Sequence, residues 1–92
     1  MLFMSHYQIL PGSRDAAIQR FAQTGGRPPK GVELIGRWHD LASGEGVSIY
    51  EADSVAAVAG WQLQWNDVME LHVQPVLTDE QLGAVLSGLQ QK

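Results

Sequence analysis

A chain of 92 residues with 45% hydrophobic and 17% charged residues is one small globular domain, long enough to bury a core and too apolar to be disordered. With six Lys+Arg, a net charge of -4 and no cysteine, it offers no basic stripe for nucleic acid, no disulfide framework, no cysteine zinc ligand and no thiol nucleophile. No apolar run is long enough to span a bilayer, and "MLFMSHYQIL" lacks the basic start and small-residue cleavage site of a secretory signal, so a cytoplasmic address is expected.

The first predicted element is a strand, "LFMSHYQIL", which Pro11 and Gly12 end because proline cannot donate to a ladder and glycine permits the turn. Ser13 is placed to cap a helix over "RDAAIQRFAQT", in which Ala17, Ile18, Phe21 and Ala22 form an apolar stripe. Gly25 and Gly26 stop that helix, and "GGRPPKG" reads as a stiffened connector. It is not a phosphate cradle, since no G-x-G-x-x-G follows a strand. "VELIGRWHD" and "GVSIYEA" are strands two and three, joined across "LASGE". Asp53 or Ser54 caps a second helix, "SVAAVAGWQLQW", in which Val58, Trp61 and Trp65 share one side and read as core rather than as an aromatic platform. "DVMELHVQPV" is strand four. Thr78 opens a last helix, Gln81 completes a capping box, and Leu82, Val85, Leu86 and Leu89 recur at helical spacing.

The order is β-α-β-β-α-β with an extra C-terminal helix. That predicts an α+β, ferredoxin-like antiparallel sheet in a single domain over residues 1–92. Side chains alternate along a strand, so each strand divides into two faces. The set expected to face the helices is Phe3, Tyr7, Ile9, Leu34, Trp38, Val47, Ile49, Met69, Leu71 and Val73. The opposite face then carries His6, Gln8, Arg37, His39, Ser48, Tyr50, Glu70, His72 and Gln74, with Leu2, Met4 and Ile35 among them. A face of that mixture is too polar for a core and too apolar for bare solvent, which predicts a homodimer that encloses it as a wet cavity.

The chain resembles a family of short bacterial proteins, a domain of unknown function within the dimeric α+β barrel superfamily. The resemblance rests on "MLFM", "FAQTGGRPPKGVELIGRWHD", "YEADS" and "WQLQWNDVMELHVQPVL", and covers nearly the whole chain. It implies the ferredoxin-like fold and pairing as a dimeric α+β barrel. Members of the wider superfamily include cofactor-free monooxygenases, lactone isomerases, haem-binding enzymes and amino-acid-sensing domains, so the resemblance carries no catalytic assignment.

The residues singled out as ligand-binding candidates are His6, Arg37, His39, Tyr50, Glu70 and His72. A histidine tunes easily near neutral pH and Glu70 can orient one. Arg37 suits a carboxylate, and Tyr50 can donate to an oxyanion. With strands one and four antiparallel, His6 falls opposite His72. In the preferred hairpin register, Arg37 neighbours Tyr50 and His39 neighbours Ser48. Two imidazoles and Glu70 are metal-ligating types, but no H-x-x-x-H spacing accompanies them, so no metal is expected. No cofactor is expected either, because nothing selects one histidine as an axial haem ligand. Two functions of different class follow. One is a small-ligand-binding protein or cofactor-free enzyme, monooxygenase- or isomerase-like, with its site on the open sheet face. The other is a non-catalytic dimeric binding or interaction domain.

Overall fold

The structure is a computed structural model and describes residues 1–90. Its elements are β1 (Leu2–Ile9), α1 (Arg14–Thr24), β2 (Val32–Asp40), β3 (Glu45–Ala52), α2 (Val55–Leu63), β4 (Met69–Pro75) and α3 (Asp79–Gln90). The four strands form one antiparallel sheet in the order β2-β3-β1-β4. This is the ferredoxin-like α+β arrangement, in which β1 and β3 take the centre because each is followed by a helix that returns to an edge strand. No helix among the described residues is long and apolar enough to cross a membrane.

Local chemistry sets the ends of the helices. Gly25 closes α1 at φ 71°, a left-handed conformation that glycine adopts without a Cβ penalty, and its N–H donates to Phe21 O at 2.7 Å. The Ser54 hydroxyl accepts from Ala57 N at 3.1 Å at the start of α2. Thr78 and Gln81 make the reciprocal capping box at the start of α3, with N···O distances of 2.9 and 3.1 Å. Ser13 stands at the cap position of α1 but makes no side-chain cap bond.

The core lies between the sheet and α1 and α2. Phe3 and Tyr50 pair across β1 and β3 and stack at 5.9 Å, and Trp61 meets the Tyr50 ring edge-on at 5.0 Å. Val58 and Trp61 of α2 and Trp65 just beyond it are buried together, as their helical spacing in the sequence predicts. Arg20 of α1 clamps this layer. It grips Asp67 with two bonds of 2.7 Å, donates to Gln64 O and lies over the Trp65 ring. These bonds hold the Asp67 carboxyl below the usual carboxylate range. A depressed carboxylate pKa contributes stability above its unfolded value of 3.8 and loses it as pH falls through the folded value. Asp67→Asn is therefore expected to flatten the acid limb of the stability-versus-pH curve below about pH 4, read by urea midpoints across that range.

The face assignment of the middle hairpin differs from the sequence expectation. β1 and β4 divide as expected, but β3 is inverted: Gly46, Ser48, Tyr50 and Ala52 face the helices, while Val47 and Ile49 face the open side. In β2 a β-bulge falls between Leu34 and Gly36, which leaves Ile35 as an extra residue opposite Tyr50 and Ile49. The bulge shifts the alternation by one. Leu34 keeps its helix-facing position, whereas Arg37 and His39 turn toward the helices and Trp38 turns out, 60% exposed. Trp38 is thus not a core residue. The register moves with it, so that Arg37 pairs with Ser48 and His39 with Gly46.

Candidate functional site

The six candidate residues fall on two sides of the sheet. His6, Glu70 and His72 lie on the open face, with His6 directly opposite His72 and their rings 6.4 Å apart. Each imidazole has its own carboxylate neighbour: Glu45 lies 3.6 Å from His6, and Glu70 lies 3.1 Å from His72. No group of three or more His, Cys, Asp or Glu among the described residues is arranged to hold a metal. Arg37, His39 and Tyr50 share one face, as the odd–even positions of Arg37 and His39 predict, but it is the helix-facing side. The expectation of one open-face site containing all six is corrected accordingly.

The cavity is on that inner side. It has a volume of about 630 Å³ and lies between the helix-facing side of the sheet and the two helices. Ser5, Tyr7 and Ile9 of β1, Ser48 and Tyr50 of β3, and Met69 and Leu71 of β4 form its floor. Ala17, Ile18, Phe21 and Ala22 of α1 form one wall, Trp61 and Trp65 the other. Arg37 and His39 stand at the β2 end. The wall is mainly apolar and aromatic, with a few polar groups, the composition common to small-molecule sites. A second, more open hollow of about 290 Å³ lies against His6, Trp38, Glu45 and Val47.

Polar groups are concentrated at the β2 end. The Tyr7 hydroxyl lies 2.6 Å from His39 Nδ1. Burial, with the nearby positive charge of Arg37, lowers the His39 pKa and favours the neutral ring. Burial raises the Tyr7 pKa and keeps that phenol protonated. Arg37 donates to Gly26 O at 2.7 Å and Gly25 O at 3.1 Å and lies 5.0 Å above the Phe21 ring. Each terminal nitrogen donates to a carbonyl just past the end of α1, so Arg37 anchors the connector and places a charge near His39. Burial likewise raises the Tyr50 pKa, partly offset by a hydrogen bond with Ser5. Deeper in, the Trp61 indole N–H is the one buried side-chain polar atom without a partner among the described residues.

The helical spacing of Trp61 and Trp65 predicts the core positions they occupy but not that they also bound a cavity, and Tyr7, expected in the core, is only half-buried at the cavity floor. Ser5 was absent from both face sets, although its neighbours Phe3 and Tyr7 give its side by alternation. The bulge had a visible signal in Gly36, since a lone glycine inside a strand pattern often marks one.

No curated protein matches the chain. Among solved structures it is similar to Rv0793 from Mycobacterium tuberculosis, with 15% identity, a TM-score of 0.48, and coverage of 85% of this chain and 95% of that one. The family described as a domain of unknown function, DUF3303, matches residues 1–90, and the chain belongs to that family.

Proposed function

We propose that this protein binds a flat, mostly apolar small molecule carrying one hydrogen-bonding head, in the cavity between the sheet and α1 and α2, and that it works as a homodimer paired through the open sheet face. The observation that carries the reading is the cavity itself. Its volume of about 630 Å³ falls within the usual range for small-molecule sites, and its aromatic walls converge on a small polar cluster. Apolar residues rim it: Ile18, Phe21 and Leu41 remain substantially exposed, and a bound ligand would cover them.

At the polar end, His39 is hydrogen-bonded to Tyr7 through Nδ1, and in the neutral tautomer whose Nδ1–H donates to the Tyr7 oxygen its Nε2 is free to accept a proton. That pair is what a cofactor-free reaction of the monooxygenase or isomerase type requires for its first step, removal of a proton from the ligand's head or the adjacent carbon. The proton would reside on the imidazole, and the nearby Arg37 charge would favour the resulting anion. A non-catalytic binding domain is the second reading, favoured by exposed Ile35 and Trp38 on the open face, which suit a protein contact.

Titration with 2-naphthol, followed by tryptophan fluorescence, tests the ligand reading. Saturable quenching is expected in the parent chain. Ser48→Leu, which fills the cavity floor, should weaken it at least tenfold while the circular dichroism spectrum is retained. Non-saturable quenching in both chains would contradict the proposal.

A further inference from the structure

The last helix has no place on its own subunit. α3 carries Leu82, Val85, Leu86 and Leu89 on one stripe, all close to half exposed or more, and buries none of its residues. An apolar stripe of this width ordinarily faces a core. The chain as a whole shows the same excess. Its accessible surface is 6363 Å², whereas a folded monomer of 10.1 kDa exposes about 5,300 Å². Its radius of gyration is 15.5 Å against about 12 Å for a compact domain of this length, and its long axis reaches 53 Å. The excess of roughly 1,000 Å² is of the order that each partner of a stable dimer buries, about 800 Å².

We propose that α3 is an exchanged arm, whose stripe docks on β2 of a second copy and covers that copy's Ile35 and Trp38. This rests on the open-face homodimer proposed above and adds which element completes it. Ile35 and Trp38 are the most exposed large apolar side chains of the sheet, at 61% and 60%, and both stand on the edge strand β2. α3 follows β4, the opposite edge strand. A two-fold axis lying between two facing sheets and running along the strands sets the β4 edge of each copy over the β2 edge of the other. Both unpartnered surfaces then meet twice, by one symmetry operation.

The chain has no cysteine, so introduced thiols report only on the pair chosen. Leu86→Cys and Ile35→Cys are made in separate chains, one carrying a size tag, mixed to exchange subunits and oxidised. The expected product is a tagged–untagged disulfide heterodimer, reversed by reductant. Val85→Cys mixed with Trp38→Cys gives the same product should either first variant fail to fold. No heterodimer from either mixture, with light scattering still reporting a dimer, would overturn the exchanged arm and leave sheet pairing standing. Self-cross-linking of Leu86→Cys without heterodimer would overturn it in favour of α3 packing on α3. A monomer by light scattering before oxidation would overturn the arm and the homodimer together.

Discussion

Replacing Tyr50 by alanine is expected to cost about 3–5 kcal/mol of stability, as other large-to-small changes of buried aromatic residues do. Tyr50 is 1% exposed, the most enclosed large side chain of the described residues, held between the Phe3 ring on β1 and the Trp61 ring on α2. Removing it leaves a void at the one place where the central strands and a helix meet, and neither aromatic neighbour can collapse into it without leaving the other. Trp38→Ala should be much milder toward the subunit's fold, because most of that ring is already in water. Urea unfolding of both variants at matched protein concentration checks this. A larger loss for Trp38→Ala than for Tyr50→Ala would mean that β3 and the end of β2 face the other way.

Gly46→Ala is expected to destabilise by about 1–3 kcal/mol, an overpacking cost. A Cβ at Gly46 would run into the Tyr7 ring on β1 and stand 2.6 Å from the backbone oxygen of Trp38 on β2. The ring can rotate away but the carbonyl cannot, since β2 is held in register at His39 opposite Gly46. The displaced Tyr7 ring would also lose its hydrogen bond to His39, so the variant should lose stability and 2-naphthol quenching together. Gly60→Ala is the control. It lies within α2 with nothing near the added methyl, and should gain about 0.5–1 kcal/mol from helix propensity. Equal stability of Gly46→Ala and the parent chain would show that Tyr7 does not pack over β3 as described.

What could be read without coordinates follows from which signals are local. The order of elements, a cap at Asp53 or Ser54 (it is Ser54), the Thr78 cap, and the pairing of His6 with His72 all depend on short-range chemistry or on the even spacing of regular strands, and each is found in the structure. The faces of β2 and β3 depend on something longer in range. Val47 and Ile49 look more in need of burial than Ser48 and Tyr50, and hydrophobicity alone puts them inside. The fold instead places Tyr50 over Phe3 and leaves Val47 and Ile49 on the open face. The bulge at Ile35 then turns Arg37 and His39 toward the helices and the Trp38 side chain toward the open side. One residue of slip was enough to divide the six candidate site residues, three to a side. The cavity itself was not legible, because an aromatic residue that lines a void and one that fills a core have the same spacing on a helix.

The central claim is that the ligand site lies between sheet and helices, not on the open face. Backbone and side-chain nuclear magnetic resonance shifts recorded during a 2-naphthol titration test it most directly. The account predicts saturable shifts concentrated at Tyr7, Ser48 and the Trp61 indole N–H, with His6 and His72 unmoved. Shifts confined to His6 and His72, with the Trp61 indole unchanged, would contradict it and return the site to the open face of the sheet.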